Sequence, residues 1–537
     1  MGRRESSAMV LLALVLLHGV QAGRVLPVEE PDVSATVKAT RVSVIIIGAG
    51  MSGITAGKTL SENGVKDLLI LEARDEIGGR MMTHDFGGIT IEKGANWIEG
   101  VNGPNVNPII PIAKEIGLVN DRSDFENITN NIYGANGKVD LEVAEPANKF
   151  IEDLYESSES LALRLTNDTD VSVLTAQRFY GRFPVTPVEM ALDYWYNDFT
   201  SAEPPRITSL KNTQPLPTDA IFGDDVYFVH DPRGYKSVVH HLANSYLENK
   251  NETITDNRLK LNTLVNKIEY SKEGVEVTTK DGTVYTSDYA IVSVSLGVLQ
   301  STAIDFVPDL PFWKLKAIYT FDMAVYTKIF LKFSKKFWSS GSGNKFWLYA
   351  DERRGYYPIW ENLDSEFPDA NVLMVTVTDE ESRRIEQQPD SETLDEIMGV
   401  LKNMFGKDVP TADDIYVPKW VADPLFRGSY SNWPVGAEPI VFQQLQAPVE
   451  NIYFTGEHTS ELYSGYVHGA HLQGMSIANS LLDCKKNQKC APTAQVYDNL
   501  SKDCAGHLEA ERNREKLMWR KKIARLEKEL TEARHVK

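Results

Sequence analysis

The sequence predicts a mixed α/β fold in which one sheet contains parallel strands and a second sheet is mainly antiparallel. A strand–turn–helix–strand unit at 42–71 predicts the parallel part, because a helix joins its two strands. Alternating segments at 265–286 predict an antiparallel meander, and apolar segments at 325–378 predict the second sheet. Helical patterns at 146–166 and 391–405 supply further layers.

The strand–turn–helix–strand unit carries a specific motif. Residues 42–47 are mostly β-branched and predict a buried strand, a helix follows over 54–63, and a second strand spans 68–71. The turn before the helix contains three glycines: Gly48, Gly50 and Gly53. Such glycines let the backbone approach a pyrophosphate at a helix N-terminus, and Glu72 after the second strand suits a ribose diol. The unit predicts a site for NAD or FAD, the alternative being a turn that only packs the helix on the sheet.

The other predicted strands fall into two groups. The meander is predicted from three alternating segments: 265–270, 275–279 and 284–286. A further buried strand is predicted at 289–294. The second sheet is predicted from three segments: 325–333, 345–350 and 372–378.

Composition and charge narrow the classes of function. The 537 residues are 42% hydrophobic and 24% charged, as in globular proteins, and the 36 Gly and 25 Pro show no collagen-like period. Residues 23–504 contain 44 basic and 68 acidic residues and carry a net charge of −24, whereas the net charge of the whole chain is −19. Nucleic acid is therefore not an expected partner, whereas cations would be attracted.

The first 22 residues have the layout of a secretory signal peptide. Arg3 and Arg4 precede an apolar run at 8–17, and 20–22 form a small-residue cleavage site. That run of about 10 residues is shorter than the roughly 20 that span a bilayer, so a signal anchor is the lesser alternative and no transmembrane segment is expected. The expected location is outside the cell, in the cell wall, or in the vacuole. Four sequons agree with secretion: Asn127, Asn167, Asn251 and Asn499.

The C-terminal region contains three cysteines and a basic extension. Cys484 and Cys490 are near enough in sequence to form a disulfide in an oxidising compartment, which would leave Cys504, and reduced thiols are the alternative. Residues 505–537 predict an amphipathic helix with a basic face. Such a helix serves as a sorting signal, a membrane-surface contact or a partner helix, or it has no partner.

Two pairs of histidines do not predict a metal site. No cysteine stands at ligand spacing from His240-His241 or from His468 and His471, so no metal is expected. Neither a nucleophile elbow nor a zinc-protease helix occurs in the sequence.

Further motifs follow the first unit. Residues 77–80 supply a second glycine turn that ends in an arginine, and 453–459 run from a strand into a Gly-Glu turn. Five segments, in family order, resemble the flavin-containing amine oxidases and most closely the plant polyamine oxidases: 94–103, 222–229, 295–299, 321–333 and 454–469. The resemblance covers roughly 41–490 and implies FAD as the cofactor.

The resemblance implies a two-domain fold. A Rossmann-like FAD-binding domain would be assembled from three segments: 41–123, 236–303 and 420–490. A substrate domain, built on a mainly antiparallel sheet with helices, would be formed by two inserted segments: 124–235 and 304–419.

The resemblance also implies roles for individual residues. The residues that match the family's flavin contacts are Gly48, Gly50, Gly53, Glu72, Arg80, Ala95, Asn96, Trp97, Val265 and Glu457. Lys328 matches the lysine that holds a water against flavin N5, and it shares a strand face with Tyr326. Glu99 matches a carboxylate of the substrate tunnel, and Tyr430 and Tyr466 match an aromatic cage facing the flavin. Lys328, Glu99 and the cage tyrosines are the expected catalytic residues, and substrate would contact Glu99 and all three tyrosines.

Two positions depart from the relatives. A second tunnel carboxylate falls at Thr200, with Asp198 the nearest acid, so the preferred polyamine is left open. Ser429 stands where the monoamine oxidases carry the cysteine that tethers their flavin, so the FAD is expected to be non-covalent.

The implied reaction is oxidation of a secondary amine of spermine or spermidine, with dioxygen reduced to hydrogen peroxide. Attack on the endo side would give 1,3-diaminopropane, or a species that carries it, and an aminoaldehyde. The alternatives are a monoamine or L-amino-acid oxidase on the same fold, and a secreted non-catalytic flavoprotein or interaction protein. An amino-acid oxidase needs a cation for the substrate carboxylate, whereas the tunnel segment offers Glu99.

Overall fold

The mixed α/β fold is confirmed in a computed structural model that describes residues 40–165 and 169–487. The strands, in chain order, are β1 Thr40–Ile47, β2 Leu68–Leu71, β3 Thr83–Phe86, β4 Ile89–Glu92, β5 Trp97–Glu99, β6 Asn120–Arg122, β7 Ile132–Gly134, β8 Gly137–Lys138, β9 Val226–Val229, β10 Asn249–Lys250, β11 Thr253–Ile254, β12 Leu259–Lys260, β13 Val265–Ser271, β14 Gly274–Thr279, β15 Val284–Val292, β16 Asp305–Val307, β17 Asp322–Ala324, β18 Tyr326–Lys332, β19 Phe346–Tyr349, β20 Ile359–Asn362, β21 Val372–Thr378, β22 Asp414–Tyr416, β23 Tyr430–Asn432 and β24 Ile452–Phe454. The α-helices are α1 Met51–Glu62, α2 Ile109–Glu115, α3 Leu141–Ala162, α4 Val173–Phe179, α5 Pro187–Tyr196, α6 Asp198–Ser201, α7 Leu210–Thr213, α8 Pro217–Phe222, α9 Ser237–Asn244, α10 Leu296–Leu299, α11 Phe312–Thr320, α12 Asp379–Gln387, α13 Asp390–Phe405, α14 Pro439–Gln446 and α15 Val467–Asn487. Two 3₁₀ turns span Ile128–Asn131 and Glu457–Thr459.

The first sheet has eight strands in the order β12-β2-β1-β15-β14-β13-β16, with β24 also paired to β15. Strands β12, β2, β1, β15 and β24 are parallel, and the meander β13–β15 is antiparallel. The predicted strands at 284–286 and 289–294 are one strand, β15, which runs through Ser287 and Asp288. These polar residues do not end the strand, because Asp288 pairs with Arg41 on β1 and Ser287 bonds the Tyr289 carbonyl.

Apolar side chains cover both faces of the first sheet. On one face, α1, α9 and α15 bury Ile54, Leu242 and Leu481 against the parallel strands. On the other face, α11 and α14 bury Trp313 and Phe442. The first-sheet layer extends past the predicted boundary at 303, because β16 pairs with β13 and α11 packs in the same core.

The second sheet has seven strands in the order β22-β18-β21-β20-β19-β7-β8. Every pair in it is antiparallel except β19 with β7. Helices α3 and α5 cover one face, and α13 packs Leu401 against Trp347 and Trp360 on the other. Helix α3 begins at Leu141, before the predicted start at 146, because Glu142 favours a helix N-terminus.

Several sequence predictions concern surface or terminal segments. Asn127 and Asn251 are exposed residues of loops, and their glycosylation stays a prediction. Outside the described residues lie the signal peptide, the sequons at Asn167 and Asn499, the cysteines Cys490 and Cys504, and the extension 505–537. Within residues 40–165 and 169–487, no helix has the length and apolar character needed to cross a bilayer.

Candidate active site

A cavity of about 660 Å³ opens where the carboxyl ends of β1, β2, β15 and β24 meet residues of the second sheet. In open parallel sheets, ligands bind at these strand ends, because the turns and helix N-termini gather there. Of the residues expected to form the site, Gly53 alone does not line this cavity. The fold therefore brings together, at one cavity, expected site residues from four distant stretches of the chain.

The glycine turn after β1 is held in a conformation that side chains would prevent. Gly48 has a φ of 103°, which favours glycine. A Cβ at Gly53 would lie 2.0 Å from the Gly48 carbonyl oxygen, so Gly53 lets helix α1 start directly against the turn. Helix α1 accordingly begins at Met51, three residues before its predicted start.

A second glycine turn packs on the first. Gly79 has a φ of 61°, and a Cβ there would lie 3.1 Å from the Gly50 Cα. Gly50 and Gly78 also form an isolated parallel bridge. The two turns leave a cradle of bare backbone at the N-terminus of α1, which is the surface that a pyrophosphate requires.

Glu72 faces this cradle from the end of β2. Its carboxylate accepts a hydrogen bond of 2.7 Å from the Ala49 amide and one of 2.9 Å from the Arg74 amide. Burial raises the pKa of Glu72 in spite of these bonds. Val265, at the start of β13, lines the same part of the cavity.

Arg80 and Glu457 connect the second glycine turn to the end of β24. Arg80 Nη1 donates to Glu457 Oε1 at 2.8 Å and to the Ser429 carbonyl at 2.8 Å. Glu457 Oε2 accepts from Ser431 Oγ at 2.6 Å and from the Gly465 amide at 2.7 Å. Burial would raise the pKa of Glu457, but Arg80 and the hydrogen bonds lower it, so the pair is charged. The glycine cradle, Glu72 and this arginine fit a dinucleotide with a ribose diol and a pyrophosphate.

Lys328 lies on β18 where the second sheet reaches the cavity. Its ammonium donates to the Gly94 carbonyl and to Asn96 Oδ1, both at 2.8 Å, and lies 5.4 Å from the centre of the Trp97 ring. Only 2% of the residue is exposed. Burial lowers the pKa of Lys328, and the carboxylates of Glu92 and Glu361 oppose this effect.

Glu92 and Glu361 were not expected at the site. Burial raises the pKa of both side chains, and each interacts with the charge of Lys328. Glu361 also lies 3.0 Å from Lys345 Nζ, which is buried as well. No sequence signal marks these acids, because each looks like an ordinary polar residue of a half-buried strand.

The expected tyrosines form an aromatic wall. The Tyr326 and Tyr430 rings lie 6.1 Å apart, and Phe199 extends the wall at 6.0 Å from Tyr326. Tyr466 stacks on His468 at 5.0 Å. Burial raises the pKa of Tyr326, Tyr430 and Tyr466 well above the usual value, so their hydroxyls stay protonated. Phe199 is a contribution of helix α6 that the sequence did not indicate.

Glu99 and Asp219 line the cavity, and the charge of each acts on Tyr466 of this wall. Glu99, on β5, is expected from the sequence, and Asp219, on α8, is not. Burial, and then the charge of Asp219, raise the pKa of Glu99 to about 8. A cation in the cavity would reverse this effect by favouring the carboxylate.

The nearest acid to Thr200 is committed elsewhere, so Asp198 is not a tunnel carboxylate. Both Asp198 oxygens accept from Arg354, at 2.7 Å each, and the residue is buried. Thr200 does line the cavity, and its carbonyl accepts a 2.9 Å hydrogen bond from the Tyr430 hydroxyl.

The histidine pair at the end of the chain has protein partners. His468 Nδ1 lies 3.2 Å from Asn107 Nδ2, and His471 Nδ1 lies 3.0 Å from Thr55 Oγ1. Across the described part of the chain, no group of three His, Cys, Asp or Glu side chains could hold a metal ion.

Comparison with known proteins identifies the family. Residues 51–482 match the family model described as "Flavin containing amine oxidoreductase". The chain belongs to this family. It is 52% identical to polyamine oxidase 6 of Oryza sativa subsp. japonica over 487 residues, covering 89% of this chain and 97% of that protein. It is 54% identical to polyamine oxidase 1 of Zea mays over 457 residues, covering 83% of this chain and 91% of that protein.

A solved structure shares the fold of this flavin-containing amine oxidoreductase. Wild-type putrescine oxidase bound to putrescine superposes with a TM-score of 0.65 at 17% identity, covering 83% of this chain and 99% of that chain. The family confirms the resemblance noted in the sequence and the flavin cofactor. The glycine cradle accounts for where a flavin dinucleotide would be held.

Proposed function

We propose that this flavin-containing amine oxidoreductase is an FAD-dependent polyamine oxidase that oxidises a secondary amine of spermine or spermidine. One observation carries the proposal: a single cavity joins the glycine cradle to Lys328, the tyrosine wall and Glu99. Two relatives with more than half of their aligned residues identical are named polyamine oxidases, which supports this substrate class.

The reaction consumes one secondary amine, one dioxygen and one water, and yields an aldehyde, a primary amine and hydrogen peroxide. The bound flavin supplies the two-electron acceptor for a hydride from the carbon next to the neutral nitrogen, and dioxygen then takes the electrons. Water adds to the substrate imine, and the carbon–nitrogen bond breaks. A secondary amine without its proton is required, because the nitrogen lone pair must assist loss of the hydride.

The side chains of the cavity bind and orient the amine. Tyr326, Tyr430 and Tyr466 keep protonated hydroxyls and present their ring faces, which attract ammonium groups by about 0.5–2 kcal/mol each. Glu99 supplies a carboxylate for one ammonium group. Lys328 would hold a water through its remaining ammonium hydrogen, since Gly94 and Asn96 occupy the other two.

Anaerobic mixing with spermidine tests this function. We expect the yellow absorbance to bleach within the time of turnover, and admission of air to restore it with release of peroxide. Endo-side attack predicts 1,3-diaminopropane among the products. Bleaching by L-amino acids or monoamines in place of spermidine would contradict the proposed substrate class.

We also propose that the FAD is bound without a covalent link. The Ser429 hydroxyl, which stands at the tether position, forms hydrogen bonds with the backbone amide and carbonyl of Tyr326 instead. Acid precipitation should release the colour into the supernatant, and colour that stays in the pellet would contradict this.

A secretory destination rests on the predicted signal peptide and is tested by locating the tagged full-length chain.

A further inference from the structure

The amine part of the cavity contains an acid that no sequence motif indicated. Asp219 lines the cavity from helix α8, and its side chain is accessible from it. The positions that were expected to supply a second carboxylate do not, because one is Thr200 and the other, Asp198, is held by Arg354. Asp219 is therefore the acid to consider beside Glu99.

Helix α8, which carries Asp219, packs against the turn that follows β5 and against residues at the start of α15. A Cβ at Gly100 would lie 2.6 Å from the Phe222 Cβ, so α8 packs directly on the turn that follows Glu99. Phe222 stacks on Tyr463 at 5.3 Å, and Thr218 Oγ1 lies 3.4 Å from His468 Nε2. These contacts fix α8 between the β5 turn and α15.

The charges of Glu99 and Asp219 act on a common space. The charge of Asp219 raises the pKa of Glu99, and both acids raise the pKa of Tyr466. Burial, and then Asp224 and Glu159, raise the pKa of Asp219 itself to about 6, so it is ionised at neutral pH. Because the carboxylates of Glu99 and Asp219 repel each other, a positive charge bound near both of them is favoured.

We propose that Asp219 binds a second ammonium group of the substrate, so that Glu99 and Asp219 together select amines with two separated positive charges. This inference rests on the proposed function, and it assigns one residue to the second ammonium group of the polyamine substrate. Thr200 brings no charge to the cavity, and Asp219 provides a charge from α8 instead.

The test compares two competitive inhibitors of equal chain length, an α,ω-diaminoalkane and the corresponding alkyl monoamine. Asp219→Asn keeps the shape of the side chain and removes its charge. Asp225→Asn is the matched control, because Asp225 follows α8 closely but does not line the cavity, and its carboxylate accepts a 2.9 Å hydrogen bond from Arg122 Nε. Flavin content and the absorption spectrum verify that each variant is folded.

We expect Asp219→Asn to lower the affinity for the diaminoalkane about tenfold, which is the scale of one charge-assisted contact. The affinity for the monoamine should change by less than about twofold. In Asp225→Asn the affinities for both inhibitors should stay within about twofold of those of the parent protein. Equal weakening of both inhibitors, or no weakening of either, would overturn the assignment of Asp219. If no amine is turned over by the parent protein, the proposed function fails, and calorimetric titration with the same two inhibitors still decides the role of Asp219.

Discussion

The charge of Lys328 depends on its buried surroundings. Its ammonium is buried and bonded to two carbonyl groups, with Glu92 and Glu361 as the opposing charges. A lysine with a lowered pKa can hold and exchange protons at neutral pH, which a surface lysine cannot. Because Asn96 and Trp97 match flavin contacts of the family, we expect this proton exchange to take place at the cofactor.

We expect Lys328→Met to preserve folding and the flavin spectrum while slowing flavin reduction, reoxidation or both by roughly 10²-fold. The change keeps the length of the side chain and deletes the group that would hold a water. Lys332→Met is the control, because Lys332 lies at the far end of β18 and bonds the Ala370 carbonyl outside the cavity. Rapid mixing measures the rates of both half-reactions. If Lys328→Met keeps the rates of the parent protein, Lys328 contributes only to packing.

Glu99 predicts a pH dependence of amine binding. Its pKa of about 8, raised by burial and by Asp219, means that the carboxyl is largely protonated at pH 7. A diaminoalkane keeps its charges up to about pH 10, so its affinity should rise with pH by up to tenfold per unit and level off above about 8. Glu99→Gln should bind the diaminoalkane weakly and show no such slope between about pH 6, where Asp219 titrates, and pH 8. An unchanged slope in the variant would assign the titration to another group.

Residue identities at the site were largely predictable where they belong to local motifs. Gly48, Glu72 and Arg80 were found because a turn and the residues around it lie within one short stretch. Asp219 and Phe199 were missed, because what makes them part of the site is packing between elements distant in sequence. No pattern within helix α6 or α8 distinguishes them from solvent-exposed residues.

At the scale of elements, the contact between α1 and α15 positions the glycine cradle. Helix α15 crosses α1 so closely that a Cβ at Gly474 would lie 2.4 Å from the Ser52 carbonyl oxygen. Ser52 lines the cavity, and its hydroxyl bonds Thr455 at 2.7 Å, so the crossing also ties α1 to β24. The N-terminus of α1 thus depends on a helix that lies more than 400 residues later in the chain, because Gly474 packs on Ser52.

We expect Gly474→Ala to destabilise the fold by about 1–3 kcal/mol and to weaken flavin binding, because two backbones must separate to admit a methyl group. Gly399→Ala, within helix α13, is the control: its Cβ would meet open space, and alanine favours a helix by up to about 1 kcal/mol. Thermal unfolding and flavin release measure both effects. A Gly474→Ala protein as stable as Gly399→Ala would contradict the close crossing.

Element prediction succeeded where periodicity was strong and failed at junctions. Strands β2 and β21 have the predicted bounds, since their side chains are buried throughout. The prediction divided strand β15, because Ser287 and Asp288 resemble a turn and the partner of Asp288, Arg41, lies on another strand. Order within the first sheet was not predictable from periodicity, because β24 joins it from a distant part of the chain.

At the scale of the whole molecule, catalysis should depend on the described body and not on the C-terminal extension. Among residues 40–165 and 169–487, every residue that lines the cavity lies between Ile47 and Ala470. A chain that ends at Asp503 should therefore keep its turnover rate and flavin content, while its location in the cell changes. Loss of turnover with the flavin still bound would show that the extension takes part in the reaction.

The charge of the body predicts how a polyamine reaches the cavity. Residues 23–504 carry a net charge of −24, and Glu99, Asp219, Asp224 and Glu461 line the cavity. An acidic surface attracts a polycation over distances that salt limits to about 8 Å at 0.15 M ionic strength. Raising the ionic strength from about 0.01 M to about 0.5 M should lower kcat/KM for spermine by roughly tenfold or more, while kcat stays constant.

Dioxygen provides the internal control for this salt effect, because it is neutral. The rate of flavin reoxidation by dioxygen should not change over the same range of ionic strength. An alkyl monoamine used as a competitive inhibitor should lose less affinity than the diaminoalkane of equal length, because it carries one charge. If kcat/KM for spermine does not change with salt, the acidic body serves solubility alone. If kcat falls together with kcat/KM, salt acts on the active site and not on the encounter.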